Sequence, residues 1–440
     1  MGPRTAGRFF AKITFFVDWP VMRFTSSLAA IATAACVTVS CGGDRSTRVI
    51  SVPTDRPTIQ AAVDDARPGD IVEISPGTYH EAVKVLTDGI VVRGADRNSV
   101  VLDGEDRLAN GIYVAADGVR VENLTVHSYT QNGIVFNGID AASGEYGVKP
   151  NEAYGTEGHS LEGYEVRWVT AYNNGLYGIY AFASVNGLIE NSYASGHPDS
   201  GLYVGQCRPC NAVVRNNISE KNAIGYYGTN ASGDVWVIDS VWRGNRLGVA
   251  PNSQEMEKLA PQEGTVVAGN LVVDNDNPLA PAIPEGFFGA GIVVGGGARN
   301  MIVRNRVEGH VYAGIAVIDF NQFKALGNRV EGNVLSANGA DLLHNVAGDD
   351  TGGGNCYSSN VFRTSQPAGL EKLLPCDAPA AGPVPTVSVR QPVPPAEVDY
   401  RSIPAPPAQP SMPAAEKSRP AGTAPFVRPD IDSITVPAGK

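Results

Sequence analysis

The stretch Gly201-Leu202-Tyr203-Val204 is one copy of a repeat in which a glycine precedes an apolar or aromatic strand. Further copies begin at Gly111, Gly133, Gly178, Gly225, Gly248, Gly291 and Gly314. Successive glycines are separated by 22, 45, 23, 24, 23, 43 and 23 residues. Five of these intervals are one coil of a solenoid, and the two long ones are a coil plus an insertion of about 20 residues.

A second repeated element lies between the glycines: two apolar residues, a position of any type, and then Asn or Asp. Examples end at Asn123, Asn191, Asn216, Asp239, Asn305 and Asn328. Such side chains can stack and hydrogen-bond at the bends of a solenoid. Because every segment is short, β-branched and interrupted by Gly and Asn, helical repeats are excluded. The sequence therefore predicts an all-β fold, a right-handed parallel β-helix over residues 50–376.

The start of this region predicts a capping helix. From Pro57 to Ala66 the apolar residues fall on one helical face, and Pro57 suits a first helical turn. A helix here would cover the open end of the solenoid, where a bare sheet edge promotes aggregation.

These residues also carry a family resemblance. Thr58-Ile59-Gln60-Ala61-Ala62-Val63, followed by Gly69-Asp70 and Pro76-Gly77-Thr78-Tyr79-His80-Glu81, resembles the beginning of pectin-lyase-like β-helix proteins. The coils, with Asp199-Ser200-Gly201-Leu202-Tyr203-Val204-Gly205-Gln206 as the most similar stretch, resemble secreted or lipid-anchored bacterial β-helix repeat proteins without an assigned function. The resemblance covers residues 52–345 and implies the fold far more strongly than any chemistry.

Two flanking segments are set apart from this domain. Residues 1–41 resemble an export leader: Met22-Arg23, then an apolar run, then Cys41, the predicted lipidation site of a bacterial lipoprotein. An ordinary cleaved secretory signal is the alternative. Residues 377–440 hold 15 of the 31 prolines and are rich in alanine, which predicts an extended, disordered tail.

The net charge and the cysteine content limit the possible binding partners and the cellular location. The net charge of −11 argues against nucleic acid and against anionic membrane surfaces, so membrane contact is expected only through the lipid anchor. Outside the cytosol, even numbers of cysteines indicate disulfides. The predicted pairs are Cys207–Cys210 and Cys356–Cys376, and the protein is expected to be an exported monomer, secreted or anchored to the outer face of the cell membrane.

An aromatic column is the main candidate binding feature. Because side chains alternate along a strand, the second residue after each glycine should point outward. Adjacent coils then place Tyr180, Tyr203 and Tyr227 in a stack, with Tyr113 two coils earlier. Stacked tyrosines can receive the apolar face of a sugar ring. A tyrosine ladder covered by a loop is the alternative interpretation.

Two predicted insertions, residues 138–164 and 251–287, flank this column and could wall a cleft. Tyr146 and His159 of the first insertion, together with Gln206, Tyr113, Tyr180 and Tyr227, are the predicted substrate-binding residues. The predicted catalytic residues are His197, Asp199 and Tyr203, because a His and an Asp two apart in a bend can act as base and orienting group. His127 follows a strand on another part of the coil.

Known catalytic sets of β-helix enzymes are largely absent. The outward positions hold Tyr, Val and Ala where a calcium-dependent lyase would need carboxylates and Arg, and no zinc-ligand spacing occurs. No metal site is therefore predicted and no cofactor is expected, with calcium bound near Asn275-Asp276-Asn277 as the exception considered.

Three functions remain. The first is an exported envelope protein that binds or processes a polysaccharide through the tyrosine face, whether or not it is an enzyme. If it is one, a lyase or uronate epimerase with Tyr and His as acid and base is expected by analogy to the fold. The second is a non-catalytic scaffold whose partner is another envelope protein, and the third is a periplasmic metal-insertion accessory factor.

Overall fold

The structure, a computed structural model, describes residues 47–138, 160–255, 259–281, 287–347, 351–387, 389–419 and 425–439. Three predicted functional residues, Cys41, Tyr146 and His159, lie outside these ranges, as does the predicted leader. Within them, no helix is long and apolar enough to cross a membrane.

The described strands form three parallel sheets, in which each coil adds one strand to each sheet. Sheet A holds twelve strands: β1 Val49–Val52, β2 Ile71–Ile74, β5 Val91–Gly94, β8 Arg120–Glu122, β11 Leu161–Arg167, β14 Ser184–Glu190, β17 Ala212–Arg215, β20 Ser232–Ile238, β23 Glu263–Ala268, β26 Met301–Val303, β29 Arg329–Glu331 and β32 Cys356–Ser358. Sheet B holds ten: β3 Gly77–Tyr79, β6 Val100–Asp103, β9 Thr125–His127, β12 Thr170–Tyr172, β15 Tyr193–Ser195, β18 Ile218–Glu220, β21 Val241–Arg243, β24 Leu271–Val273, β27 Arg306–Glu308 and β30 Val334–Ser336. Sheet C holds eleven: β4 Val83–Val85, β7 Asn110–Val114, β10 Asn132–Asn137, β13 Ile179–Phe182, β16 Ser200–Gly205, β19 Ile224–Thr229, β22 Leu247–Asn252, β25 Ala290–Gly295, β28 Ala313–Ile318, β31 Ala340–Asn345 and β33 Ser365–Gln366. The predicted parallel β-helix is confirmed.

The helices are short. Helix α1 spans Ile59–Asp65, begins at the Thr58 N-cap, and buries Ile59, Ala62 and Val63 in the core, so the predicted N-terminal helix is present. Helix α2 spans Leu370–Leu373 near the other end. Single 3₁₀ turns occur at Gly352–Gly354, Tyr400–Ser402, Ala415–Lys417 and Ile431–Ser433.

Strand alternation produces the core. In sheet B the middle residue of the three-residue strands from β9 onward points inward, as Val126, Ala171 and Ala194 do with no exposed surface. The residues on either side of it point outward. Parallel register then aligns chemically equivalent positions of successive coils into columns that run along the solenoid.

Polar ladders stabilise the bends. The longest runs through the turn between sheets B and C, where each side chain hydrogen-bonds to the next across six links of 2.8–3.2 Å. Its members are Asn174, His197, Asn222, Asn245, Asn275, His310 and Asn338. Two further ladders contain Asn305 and Asn328, which confirms the predicted stacking at those positions.

Other predicted ladder residues have a different role. Asn123, Asn191, Asn216 and Asp239 adopt left-handed backbone conformations with φ between 47° and 58°. Asn and Asp tolerate this region better than most residues, so these positions turn the chain between sheets A and B. In three of these coils the residue that follows supplies the ladder group, as Asn217 does for Ser192.

Both predicted disulfides are present, Cys207–Cys210 and Cys356–Cys376. The second lies at the end of the solenoid. It ties the last strand of sheet A to the residue that precedes the proline-rich tail.

The predicted insertion at 251–287 is largely wrong. Residues Glu263–Ala268 and Leu271–Val273 are regular strands of sheets A and B. The 43-residue interval between glycines therefore contains a normal coil, and its additional residues are divided between two separate turns. The first insertion ends where strand β11 begins, at Leu161.

The tail also differs from the prediction of disorder. Its described residues follow the solenoid in extended segments separated by the three 3₁₀ turns, and backbone carbonyls throughout its length accept hydrogen bonds from the solenoid. An extended proline-rich chain makes no internal backbone hydrogen bonds, so its carbonyls depend on outside donors. Here those donors are mainly arginines of the solenoid. The composition of the tail alone therefore cannot show that the tail is held in place.

Candidate functional site

The predicted tyrosine column exists on sheet C. In parallel register, Tyr113, Val135, Tyr180, Tyr203 and Tyr227 occupy equivalent positions of five successive coils. The Tyr180 and Tyr203 ring centroids lie 4.7 Å apart, and those of Tyr203 and Tyr227 lie 6.2 Å apart.

This column is covered. Tyr203 is 2% exposed, Tyr227 7% and Tyr113 8%, although Tyr180 is less completely buried. Val387 and Val389 of the tail pack against the same apolar cluster on the outer side of sheet C. The interpretation as a ladder covered by another segment describes these tyrosines better than an open sugar platform.

His197 does not occupy a surface position. Its ring is fully buried in the ladder, with Nδ1 2.8 Å from Asn222 Oδ1 and Nε2 3.2 Å from the Asn174 amide nitrogen. Burial lowers the pKa of His197 to about 4, so the ring is neutral at physiological pH. A role as a base toward a surface substrate does not fit this position.

The other predicted residues of this face lie apart from His197. Asp199 faces Tyr177, whose pKa is raised by burial and then by the charge of Asp199. Gln206 is 2% exposed and its side-chain oxygen accepts from the Leu259 amide at 3.2 Å. The structure thus places Tyr203 among the tyrosines, but it does not assemble His197, Asp199 and Tyr203 into one catalytic group.

A different cluster lies on the outer face of sheet B. Asp103, His127 and Tyr172 are aligned on three successive coils by the register of strands β6, β9 and β12. The His127 and Tyr172 rings stack with centroids 4.5 Å apart and an interplanar angle of 16°. His127 Nδ1 lies 2.9 Å from Ser128 Oγ and 3.7 Å from Asp103 Oδ1. We call these three residues the sheet B cluster.

The cluster is partly open to solvent and has a second histidine beside it. The side chains of His127 and Asp103 are 16% and 23% exposed. His80 approaches Asp103 at 3.9 Å and Glu105 at 3.6 Å. Two imidazoles and two carboxylates therefore face a common solvent-accessible space.

Electrostatics set the protonation of the stacked pair. Burial lowers the pKa of His127, an effect opposed by the negative charges of Asp103 and Asp106. Burial raises the pKa of Tyr172, and Asp103 raises it further. At neutral pH the pair is thus a neutral imidazole beside a protonated phenol, which are the forms needed by a general base and a general acid.

The same column continues along sheet B through Ser195, Glu220 and Arg243. Glu220 accepts hydrogen bonds from Tyr193 at 2.7 Å and from Arg243 at 2.5 Å. A cleft of about 500 Å³ opens beside Glu220 and Arg243 and includes Leu271 and Val273. Polar and apolar groups are therefore available over several coils of this face.

A second groove, of about 530 Å³, lies on the outer face of sheet A. Its floor includes Leu188 and Val213, and residues Pro425–Asp430 of the tail form one wall. Arg167 and Arg215 line it, but both are paired with Glu190. The charges of this groove thus neutralise one another within the protein.

In the part of the chain that the structure describes, no group of three or more His, Cys, Asp or Glu side chains could hold a metal ion. Asn275, considered for calcium, is a fully buried member of the ladder. Asn277 donates to the Gly244 carbonyl at 2.8 Å.

Comparisons with known proteins agree with this architecture. The model of the family described as the right-handed β-helix region matches residues 110–255. Together with the three parallel sheets, this makes the chain a right-handed parallel β-helix protein. No curated protein matches the sequence.

Similar solved structures include the A-module of the mannuronan C-5 epimerase AlgE6 of Azotobacter vinelandii. It is 16% identical with a TM-score of 0.44, and the match covers 70% of this chain and 90% of that one. Pectate lyase Pel9A is 15% identical with a TM-score of 0.41, covering 69% and 72%. The Dettilon tailspike protein is 11% identical with a TM-score of 0.42, covering 71% and 70%. At these levels the likeness says nothing about what this chain binds.

Proposed function

We propose that this protein is an exported β-helix protein that binds a linear polysaccharide along the outer face of sheet B. The stacked His127–Tyr172 pair beside Asp103 is the observation that carries this proposal. Aromatic rings offer contact area to the apolar face of a sugar, and adjacent carboxylate and imidazole groups can bond its hydroxyls.

The periodicity of the face supports a polymeric ligand. Parallel strands repeat about every 4.8 Å, so the column through Asp103, His127, Tyr172, Ser195 and Glu220 presents polar groups at regular intervals. A linear polymer meets such a row over several coils. The tyrosine column of sheet C lacks such a row, because its positions Tyr113, Val135, Tyr180, Tyr203 and Tyr227 hold no carboxylate or imidazole.

Processing of the polymer is a second proposal, favoured by the opposite pKa shifts of His127 and Tyr172. In a uronate polymer, neutral His127 would take the proton from the carbon that carries the carboxyl group. The bond from the neighbouring carbon to the glycosidic oxygen would then break and a carbon–carbon double bond would form. Tyr172 would donate its proton to the departing oxygen, so that both protons are accounted for.

Binding to a glycan array by the full chain tests the first proposal. We expect a defined glycan to bind, and Tyr172→Ala to weaken binding at least tenfold, about 1.4 kcal/mol, because the stacking surface is removed. Ser336→Ala, at the far end of the same column, is the matched control and should bind normally. If a folded protein binds no glycan, the proposal fails and the search moves to an envelope protein as the partner of a non-catalytic scaffold.

Tyr172→Phe separates binding from chemistry. The phenyl ring keeps the stacking contact, so we expect binding within about threefold of wild type, a change of about 0.6 kcal/mol. The hydroxyl that would donate the proton is lost, so the formation of unsaturated product, followed by ultraviolet absorbance, should stop. An unchanged rate of product formation in Tyr172→Phe would overturn the assignment of Tyr172 as the acid.

A further inference from the structure

The proline-rich tail follows a defined route over the solenoid. Val387 and Val389 pack on sheet C, and Pro395 and Ala396 accept from Arg246 in a turn between sheets C and B. Ile403 then accepts from Asn173 Nδ2 at 2.7 Å, immediately after strand β12. We call residues 377–387 and 389–419 the strap.

The strap crosses sheet B at the proposed site. From Ile403, beside the end of strand β12, it reaches Gln409, which exchanges hydrogen bonds of 2.8 Å with Asn98 just before strand β6. Residues 404–408 therefore pass over the outer side of the strands between these two anchors. Outward residues in this area, among them Tyr193 and Ser195, are 3% and 1% exposed. His127 and Tyr172 lie on strands β9 and β12, between β6 and the Ile403 anchor, and the His127 side chain is 16% exposed.

A track of arginines holds the strap through its backbone carbonyls: Arg97 and Arg246 lie in the turns on either side of sheet B, whereas Arg93 and Arg120 lie on sheet A. Arg93, Arg97 and Arg246 are at most 5% exposed, and each donates to a strap carbonyl at 2.7–2.9 Å. Arg120 does the same at 3.1 Å. Because a guanidinium presents its donors in a fixed fork, such a track suits any extended chain that carries oxygen acceptors. A polysaccharide is such a chain.

Near the sheet B cluster, the apolar side chain that anchors the strap is that of Ile403, which is 6% exposed. Its covalent attachment is secured at the base by the Cys356–Cys376 disulfide. The strap can thus leave sheet B while its origin stays fixed to the end of the solenoid.

We infer that the strap is an internal competitor of the polysaccharide, which must displace it from sheet B to reach the cluster fully. This inference rests on the proposed function. A site that is free in only about 10% of molecules binds its ligand about tenfold more weakly than an open site. Release of the strap should therefore strengthen binding of the polymer by about that factor.

Two substitutions in the full chain distinguish release of the tail from sheet B, at the proposed site, from its release from sheet A. Ile403→Asp places a charge at the buried anchor over sheet B without altering the solenoid, and should strengthen binding about tenfold. Ile434→Asp is the matched control. Ile434 is equally buried at 6%, but it packs on sheet A, so its replacement should leave glycan affinity unchanged. Hydrogen exchange of residues 399–412 reports directly whether the strap has detached.

The converse variant locks the strap. Ser411 Oγ lies 2.5 Å from Asp96 Oδ2, so the cysteines of Asp96→Cys with Ser411→Cys can be joined across this contact by a short thiol crosslinker that contains a reducible disulfide. The locked protein should bind less than wild type, and reductant should restore binding, with reductant-treated wild type as the control.

If Ile403→Asp detaches the strap yet binds the same glycan with wild-type affinity, the strap is no competitor, although the proposed site stands. If neither the detached nor the locked form binds any glycan of the array, both proposals fail.

Discussion

Two faces of the solenoid carry stacked aromatic rings, and they differ in what lies over them. On sheet C, Tyr203 sits in a row of tyrosines and is 2% exposed. On sheet B, His127 stacks on Tyr172 with 16% of its side chain exposed and carboxylates around it. Aromatic rings that pack on one another beneath a covering segment act as a second core, whereas a ring that keeps charged neighbours and solvent access is equipped for recognition.

The largest effect expected from this difference is a loss of protein stability when a tyrosine of sheet C is truncated. Tyr203→Ala should lower the free energy of unfolding by about 3–5 kcal/mol, the range found when a large buried aromatic side chain is truncated to Ala. Urea unfolding followed by circular dichroism measures it. Tyr203→Phe, which keeps the ring, is the control and should lose far less. Glycan affinity of the folded Tyr203→Ala protein should be unchanged, and a selective loss of binding with normal stability would return the site to sheet C.

The two histidines His197 and His127 give the next comparison. Because burial lowers the folded-state pKa of His197 to about 4, the unfolded chain binds more protons than the folded protein between that value and the ordinary pKa of about 6.5. The contribution of neutral His197 to stability is thus fully present above pH 6.5 and is lost as pH falls toward 4. The loss amounts to about 3 kcal/mol.

Urea unfolding of wild type and His197→Asn between pH 7 and pH 4 measures this contribution. Asn occupies equivalent positions of the same ladder at Asn222 and Asn245, so the variant should fold. It should lose about 3 kcal/mol less than wild type over this pH range. Parallel curves for the two proteins would show that His197 is not the group responsible.

The sequence predicts these faces only in part. The glycine period defines the coils, and strand alternation correctly places the tyrosines in one outward column. Alternation tells which side of a sheet a residue occupies, but it does not tell what covers that side. The cover includes Val387 and Val389, more than 150 residues further along the chain, in a segment whose composition is that of disorder.

The sequence does contain a signal for the sheet B cluster, but it lies in the spacing of polar residues and not in the glycine repeat. Asp103, His127 and Tyr172 are 24 and 45 residues apart, which match one coil and one coil plus an insertion. Counting polar residues at the coil period would have aligned them. The prediction for His197 failed because it relied on nearness in sequence. Asp199, two residues away, lies in a different environment, whereas the hydrogen-bond partners of His197, Asn174 and Asn222, lie on the coils before and after it.

The smallest expected effect concerns the protonation of His127. The negative charge of Asp103, whose carboxylate lies 3.7 Å from His127 Nδ1, raises the pKa of His127 against the dominant effect of burial. Asp103→Asn removes that charge and should lower the pKa of His127 further, as followed by NMR titration of the imidazole signals. Asp319→Asn, on the sheet C side of the solenoid, is the charge-matched control and should leave the titration unchanged. Because His127 must be neutral to act as a base, any processing activity in Asp103→Asn should persist to lower pH than in wild type, and an acid limb that moves to higher pH would contradict this role.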